Sequence, residues 1–352
     1  MMNKEICEKI LTIGCDYKPP RGGIAQVLSS YDSLLFEPFK FVRNSADGNK
    51  PKKLWIMLWA LVETFCRLLF DRKIKVVHIH TASRNSFRRS VYFARLARFM
   101  RHKVIMHIHG GGFKDYYERN RPFVEKALAQ CDAIIALSDE WKRFYAHDLG
   151  HDNVWVVNNL IPAPHPVEMA DDGKLHLLFL GLINEAKGVF DLIGLLAENK
   201  EKYAGRLVFH VAGNGDVERL RQVIAEAQLD AIVRYEGWVA GEEKQRLLNQ
   251  CDVFVLPSYA EGLPISILEA MTYSKAVIAS RVGGIPSIVH DGENGRLISP
   301  GNSQELVQAI DSFLDDPSLL KRYGECSQRL SQPFLKDSVE QQLKACYNSV
   351  LK

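Results

Sequence analysis

The sequence predicts an α/β protein built from two doubly wound parallel sheets in tandem. Short runs rich in Val, Ile and Leu alternate with longer helical patterns, which is typical of βαβ units and of a parallel sheet. The runs fall into two sets, and a proline-rich segment without an apolar period separates them. The chain has 352 residues, of which 47% are hydrophobic, so it can fill a sizeable core in each of two domains.

The predicted strands show where the domains begin and end. The first set lies near residues 9–14, 75–80, 103–109, 133–138 and 154–158. The second set lies near residues 175–181, 207–213, 232–235, 253–257, 276–280 and 296–298. The segment 159–174 is the predicted linker, which gives an N-terminal domain over 1–163 and a C-terminal domain over 164–336. We also expect a last helix, 337–352, to pack back on the N-terminal domain.

Composition excludes several classes of protein. The longest strongly apolar stretch, 54–70, contains Glu63 and Arg67, so no clean membrane span is predicted. Residues 1–13 lack a small-residue cleavage pattern, so we expect a cytoplasmic protein. The seven cysteines are never spaced as C-x-x-C, which argues against a disulfide framework and a zinc site.

Charge is divided unevenly along the chain. Residues 1–165 hold 26 Lys and Arg against 16 Asp and Glu, whereas residues 166–352 hold 19 against 26. Between Asp71 and Asp115 there are eleven basic residues and no acid. The pattern predicts an anionic partner for the N-terminal half, and we expect a membrane surface and no nucleic acid.

Two predicted helices in this half suit such a surface. The segment 52–73 is flanked by cations and holds Trp55 and Trp59 one turn apart. The predicted helix 86–100 keeps most of four arginines on one side: Arg88, Arg89, Arg95 and Arg98. The alternative is that both are ordinary core helices with solvated arginines.

Several catalytic motifs are absent from the sequence. It contains no H-E-x-x-H, no G-x-S-x-G and no G-x-x-x-x-G-K-[ST]. The sequence Gly213-Asn214-Gly215 has Glu218 where a dinucleotide fingerprint needs its third glycine, which disfavours a nicotinamide enzyme. No D-x-D pair is present to hold a divalent metal. We therefore expect that protein groups, and no metal, neutralise any bound diphosphate.

The most informative segment, 257–271, reads as the end of a strand, a loop and a helix. Pro264 suits an early helical position, where its missing N–H is not needed. The free amides of that first turn suit a phosphate. Glu261 in the loop and Glu269 inside the helix lie at different depths, so they are candidates to accept hydrogen bonds from hydroxyls at opposite ends of one ligand. The alternative is that both are solvated acids near the positive end of the helix dipole.

The spacing of these glutamates carries a family resemblance. Glu261 and Glu269 form an E-x7-E pair, and Val282-Gly283-Gly284-Ile285-Pro286 and Asp291-Gly292-Glu293-Asn294-Gly295 follow it. Four segments earlier in the chain belong to the same pattern of motifs: residues 21–25, 107–111, 187–188 and 211–215. Together they resemble the retaining family 4 glycosyltransferases. The resemblance implies the GT-B fold, with two Rossmann-like domains and an active-site cleft between them.

The resemblance also implies a role for individual residues. Glu269 matches the glutamate that binds the ribose of a sugar-nucleotide donor, Glu261 matches the one near the donor sugar, and His109 matches a histidine near the reacting carbon. By the same resemblance, Lys187 is expected to contact the diphosphate, and the backbone of Gly262, Leu263 and Pro264 is expected to lie against the diphosphate and the sugar. The backbone of Gly22 and Gly23 is expected to approach the same phosphates. The base is expected to bind at the turn of Gly237, Trp238 and Val239. The alternative for Trp238 is that it is only a residue of the hydrophobic core.

One position departs from the family pattern. The family usually has an arginine on the diphosphate directly after the glycine at 181, and here that residue is Leu182. Lys187, Arg21 and Arg281 are the candidates to compensate. Without compensation, the chain would be a weak or inactive member.

The resemblance implies transfer of a hexosyl group with retention from a nucleoside-diphospho-sugar, UDP-linked before GDP-linked, to a glycan or lipid-linked glycan acceptor. We expect no cofactor, and a role in cell-surface polysaccharide synthesis at the inner face of the cell membrane. A GT-B nucleotide-sugar epimerase and a catalytically silent binding subunit remain alternatives.

Overall fold

The computed structural model describes residues 2–19, 22–167 and 172–352. The chain forms two compact units: unit 1 comprises Met1–Pro162 and Pro333–Lys352, and unit 2 comprises Ala163–Gln332. The units divide the chain after residues 162 and 332, against predicted divisions after 163 and 336. Within the described residues, no helix is long and apolar enough to cross a membrane.

Unit 1 is a six-stranded parallel sheet with helices packed on it. Its strands are β1 (Ile10–Cys15), β2 (Phe41–Ser45), β3 (Val76–Thr81), β4 (Lys103–Ile108), β5 (Ala133–Ala136) and β6 (Val154–Val156), in the order β2-β1-β3-β4-β5-β6. Its first helices are α1 (Lys4–Lys9), α2 (Gly23–Ser30), α3 (Lys50–Phe70), α4 (Asn85–Phe99), α5 (Phe113–Arg119), α6 (Arg121–Leu128) and α7 (Asp139–Arg143), with π-helical turns at Tyr31–Leu35 and Phe144–Asp148.

Unit 2 repeats this plan with a second six-stranded parallel sheet. Its strands are β7 (Leu175–Leu180), β8 (Leu207–Ala212), β9 (Val233–Gly237), β10 (Val253–Leu256), β11 (Ala276–Ser280) and β12 (Gly295–Ile298), in the order β12-β11-β10-β7-β8-β9. Its helices are α8 (Val189–Glu198), α9 (Lys200–Tyr203), α10 (Val217–Glu226), α11 (Gly241–Gln250), α12 (Ile265–Thr272), α13 (Ser303–Asp315) and α14 (Ser318–Ser331), with 3-10 turns at Glu185–Lys187 and Ile285–Ser287. A further 3-10 turn, Gln332–Phe334, spans the boundary between the two units. The last helix, α15 (Lys336–Leu351), belongs to unit 1.

These sheets confirm the predicted α/β class, and they add one strand that the sequence analysis missed. Every residue of β3 and β7 is buried, because helices cover both faces of a parallel sheet. Strand β2 pairs only with β1 at the sheet edge. Its second half, Arg43-Asn44-Ser45, is polar, and it therefore lacks the apolar run by which the other strands were recognised.

The strand order reverses once in each sheet, between β1 and β3 in unit 1 and between β7 and β10 in unit 2. Doubly wound sheets bind ligands beyond the carboxyl ends of the strands at such a switch point. The loops after these four strands are therefore where functional side chains are expected.

Candidate functional site

A lysine and a glutamate meet at the switch point of unit 2. Lys187 follows β7 and Glu261 follows β10. Lys187 Nζ donates to Glu261 Oε1 over 2.6 Å, and Ser258 Oγ donates to the same oxygen over 2.8 Å. The structure thus brings together the predicted diphosphate cation and the predicted sugar carboxylate, which lie 74 residues apart in the chain.

The second glutamate of the E-x7-E pair has its own lysine. Lys244 Nζ on α11 donates to Glu269 Oε1 on α12 over 2.5 Å. The side chains of Glu261 and Glu269 are only 8% and 9% exposed, so the alternative of two solvated cap acids is wrong. Sequence reasoning missed Lys244, because it lies in a helix without a motif. The available signal was that a buried carboxylate needs a cation to offset its desolvation.

Glycines allow the loops at this site to touch. A Cβ at Gly188, where φ is +68°, would lie 2.1 Å from the carbonyl oxygen of Pro257. A Cβ at Gly283, where φ is +53°, would lie 1.9 Å from the carbonyl oxygen of Glu261. Only glycine fits either position. The loops after β7 and β11 therefore pack directly on the loop that carries Glu261.

The loop Gly262-Leu263-Pro264 leads into α12. Pro264 has φ −70° and ψ 120° and is the residue before the helix, so the expectation of an early helical proline is wrong by one position. Its extended ψ keeps it out of the first turn. Within the described part of the chain, no side chain caps α12. The first-turn amides thus have no side-chain acceptor, which leaves them suited to an anion.

The turn predicted for the base follows β9. Gly237 ends that strand with φ +80°, and Val239 is half-buried. Trp238 is 48% exposed, so its alternative as a core residue is wrong. Glu236 Oε1 lies 2.7 Å from His210 Nδ1, which fixes the strand end before the turn. An exposed indole beside a glycine turn can stack on a planar ring.

Leu182 is the residue that departs from the family pattern. Leu182 is 47% exposed, as expected of a side chain that occupies a polar family position. The Arg281 guanidinium donates to the carbonyl of Leu297 over 3.4 Å, on the edge strand β12. Arg21 lies outside the described residues. Compensation by Arg21 or Arg281 stays a prediction.

In unit 1, the glycines after β1 begin a helix. Gly22 has φ +92° and is the N-cap of α2, and Gly23 is the first residue of that helix. A Cβ on Gly22 would have no atom within 4 Å, so its backbone conformation, and not crowding, requires glycine. Gly22 lies seven residues after β1, a switch-point strand, and its open backbone lets a ligand approach closely.

His109, after β4, belongs to two stacked layers of imidazoles. In one layer His80 Nδ1 lies 2.9 Å from His109 Nε2, and the rings are nearly coplanar at 13°. In the other layer His78 Nε2 lies 3.3 Å from His107 Nδ1, with the rings at 5°. The ring of His107 stacks on that of His109 with 4.0 Å between centroids. Tyr347 of α15 closes the second layer, 2.8 Å from His78 Nδ1.

These imidazoles are held neutral. Burial lowers the pKa of His78 and of His109 to about 3, and it holds the pKa values of His80 and His107 well below the usual range. The Nε2 atom of His80 is buried and has no hydrogen-bond partner among the described residues. Because buried N–H groups are rarely left orphaned, the proton of His80 belongs on Nδ1, which then donates to His109 Nε2. His109 consequently carries its own proton on Nδ1.

Three of these rings come close enough to share a metal ion. Ligand atoms of His78, His80 and His107 all lie within 4.8 Å of one another. His78 already has both ring nitrogens in hydrogen bonds, so coordination would break one of them. The observed arrangement fits hydrogen bonding better than coordination, and the expected absence of a metal stays a prediction.

Sequence profiles match both parts of the chain. The profile described as "Glycosyl transferases group 1" matches residues 163–329, and "Glycosyltransferase Family 4" matches residues 27–163. The alpha-maltose-1-phosphate synthase of Mycolicibacterium smegmatis is 31% identical over 271 residues, which cover 68% of this chain and 68% of that protein. The chain is a family 4 glycosyltransferase.

Other comparisons define the fold of this glycosyltransferase. The putative colanic acid biosynthesis glycosyltransferase WcaL of Salmonella typhimurium is 24% identical over 250 residues, covering 65% of this chain and 59% of that protein. Sucrose-phosphate synthase from Thermosynechococcus elongatus aligns with a TM-score of 0.78 at 18% identity, covering 97% of this chain and 98% of that chain. Anabaena HepE in complex with UDP and glucose aligns with a TM-score of 0.73 at 18% identity, covering 97% of this chain and 99% of that chain. These similarities and the two parallel sheets confirm the predicted GT-B fold.

Proposed function

We propose that this glycosyltransferase moves a hexosyl group, with retention, from a nucleoside-diphospho-sugar to a glycan or lipid-linked glycan. The observation that carries the proposal is the pair of contacts Lys187–Glu261 and Lys244–Glu269. They place two cations and two carboxylates around one loop and one helix N-terminus. Cations and free amides suit a diphosphate, and carboxylates suit the hydroxyls of a sugar and a ribose.

Each group has a defined task in this proposal. Glu269 Oε1 is paired with Lys244, and Oε2 has no partner among the described residues, so it can accept from the ribose hydroxyls. When the donor binds, the Lys187 ammonium group donates to the diphosphate as well as to Glu261. The Glu261 carboxylate can then accept a hydrogen bond from the sugar. The turn of Gly237, Trp238 and Val239 receives the base. A UDP-sugar is favoured before a GDP-sugar, and the UDP complex of the similar HepE supports that order.

The transfer itself needs no enzyme nucleophile. The bond from the anomeric carbon to the diphosphate breaks, and the acceptor oxygen bonds to the same face of that carbon. The acceptor proton passes to the departing phosphate oxygen. Preorganised charge from Lys187 and the amides of α12 stabilises the leaving group, while neutral His109 contacts the donor sugar. We propose that this stabilisation requires no metal, so EDTA should leave turnover unchanged; a loss restored by magnesium or manganese would contradict this.

The acceptor is proposed to be a growing cell-surface polysaccharide or its lipid-linked precursor. The similarity to a putative colanic acid glycosyltransferase supports a polysaccharide product. The basic N-terminal half supports an anionic acceptor and action at the inner face of the cell membrane.

A panel of UDP-, GDP- and ADP-hexoses tests the proposal. A ligand at 100 times its dissociation constant adds about 2.7 kcal/mol to the unfolding free energy, so a thermal shift identifies the donor. The donor that shifts the melting temperature is then incubated with the protein and its products are separated. A transferase releases nucleoside diphosphate slowly into water. An epimerase would leave the nucleotide on a changed sugar, and a silent subunit would leave the donor intact; either result would contradict the proposal.

A further inference from the structure

Helix α3 carries a continuous apolar face that points into solvent. With 100° per residue, its exposed apolar side chains fall within an arc of about 160°. Lys52 lies at the edge of this arc, and the other charged residues of α3 lie outside it. The face consists of Leu54, Trp55, Leu58, Trp59, Val62, Phe65, Cys66, Leu69 and Phe70. Trp55 and Trp59 are 69% and 63% exposed. The alternative of an ordinary core helix with solvated arginines does not account for this exposed apolar face.

The opposite side of α3 already packs in unit 1. Ala60, Thr64 and Leu68 are buried, and Ala60 and Leu68 belong to the hydrophobic core. A surface helix normally pairs such a buried stripe with a polar outer face. An exposed apolar patch of this length marks an interaction site.

Basic residues surround the apolar face of α3. Lys50, Lys52 and Lys53 are exposed at its N-terminal end. Helix α4 packs beside α3 and presents an exposed ridge of alternating cations and aromatic rings, namely Arg88, Tyr92, Arg95 and Phe99. An apolar helix face bordered by cations fits the boundary between headgroups and acyl chains of an anionic bilayer.

A cationic pocket opens at the same end of α3. Its volume is about 540 Å³, and Lys52, Lys53 and Ile56 of α3 contribute to its lining. Arg89 of α4 lines it too, and the buried Nε of Arg89 has no hydrogen-bond partner among the described residues. Two other lining cations are already paired, Lys18 with Asp32 and Arg43 with Asp16. Five cations and two carboxylates, Asp16 and Asp47, line the pocket, so its net charge is positive.

We propose that α3 lies in the plane of an anionic membrane and that the pocket binds the phosphate group of a lipid-linked acceptor. The acceptor part rests on the proposed function, whereas the membrane part stands on α3 alone. A second copy of this chain is the competing occupant of the apolar face. A two-fold contact through α3 would bring identical cationic borders together, and their repulsion favours an anionic surface instead.

Vesicle sedimentation tests the membrane part. We expect the wild-type chain to bind phosphatidylglycerol vesicles at least 10-fold more tightly than phosphatidylcholine vesicles. Trp55→Ser/Trp59→Ser should weaken that binding at least 10-fold, whereas Val167→Ser, which removes an exposed apolar side chain from unit 2, should not. Unchanged binding in the double variant would overturn the proposal. A wild-type dimer in ultracentrifugation that the double variant loses, without vesicle binding, would assign the face to a second copy and also overturn it.

The pocket is tested with decyl diphosphate and inorganic pyrophosphate as probes. We expect decyl diphosphate to bind more tightly than pyrophosphate, and Arg89→Gln and Lys52→Gln/Lys53→Gln each to weaken it at least 10-fold. The exposed lysine pair serves as the second variant because Arg89 is half-buried. Equal binding of the two probes, or unchanged affinity in both variants, would overturn the acceptor site. UDP affinity, measured alongside, reports on the donor site, so a failure of the proposed function is recognised separately.

Discussion

Both units contain a nearly coplanar pair of histidines, on or directly after neighbouring strands, but the two units surround the pair differently. In unit 2, His176 and His210 lie 3.1 Å apart, Asp172 contacts His176 over 3.0 Å, and Glu236 contacts His210 over 2.7 Å. In unit 1, His80 and His109 form the same kind of pair, and no carboxylate among the described residues contacts either ring. Burial lowers the pKa of His210, and the Glu236 carboxylate opposes that shift. Nothing opposes it for His109, whose pKa falls to about 3.

The two units differ in the charge of their candidate site residues. Unit 2 assembles opposite charges, in Lys187–Glu261, Lys244–Glu269 and the carboxylates on its histidines, and such a unit is suited to a charged nucleotide. Unit 1 offers an uncharged hydrogen-bond donor on His109. A neutral imidazole can hydrogen-bond a hydroxyl group without adding a positive charge beside it.

Acid should break unit 1 through its neutral histidines. These rings stay neutral in the folded chain but take up protons below about pH 6.5 when unfolded. The unfolded state therefore binds more protons, and stability falls as pH decreases from about 6.5 towards 3. Each such histidine contributes a slope of about 1.4 kcal/mol per pH unit. Urea unfolding between pH 7 and 4.5 measures how the unfolding free energy changes with pH. His107→Leu should lower that slope by the contribution of one histidine, and an unchanged slope would contradict a neutral His107.

Removing Glu269, the proposed ribose-binding carboxylate, should weaken donor binding strongly. Glu269→Ala deletes charge-assisted hydrogen bonds worth roughly 1.5–3 kcal/mol each and leaves Lys244 without its partner, so nucleoside diphosphate affinity should fall roughly 10- to 1,000-fold. Calorimetric titration measures the loss. Glu261→Ala and His109→Ala are the matched controls, because they should lower turnover more than nucleotide affinity. Equal affinity in wild type and Glu269→Ala would contradict the ribose role.

Loss of the His80 hydrogen bond should reduce turnover with little effect on nucleotide binding. His80→Phe removes the donor to His109 Nε2 and releases the tautomer of His109, so kcat should fall about 10-fold, the range of one lost orienting contact. His80→Asn restores an N–H donor and should recover most of the rate. The ¹⁵N shifts of the His109 ring report the tautomer directly. A wild-type spectrum with the proton on Nε2 would refute the assignment.

Restoring the family arginine should have the smallest effect. Leu182 is 47% exposed, where a unit charge 4 Å from a phosphate is worth about 1 kcal/mol, so Leu182→Arg should improve donor affinity or turnover about 5-fold. If Arg21 or Arg281 compensates, its change to Ala should cost much more in the wild-type background than in the Leu182→Arg background. Additive effects in that double-mutant comparison would rule out compensation.

The same contrast explains how much the sequence predicted. The segment from Glu261 to Glu269 was recognised because its two carboxylates, its glycine and its proline are close together in the chain. Lys244 and the orientation of His109 were not, because they depend on contacts between distant segments. The histidines of β3 looked like ordinary strand residues, and only the register of β3 on β4 stacks them against His107.

The stereochemistry of donor hydrolysis tests the central claim most directly. With the α-linked UDP-hexose that gives the largest thermal shift and no acceptor, proton NMR follows the first hexose released before it mutarotates. We predict UDP release together with the α-anomer, because water replaces the acceptor on the same face of the sugar. Release of the β-anomer, or a changed sugar still attached to the nucleotide, would contradict retaining transfer by this site.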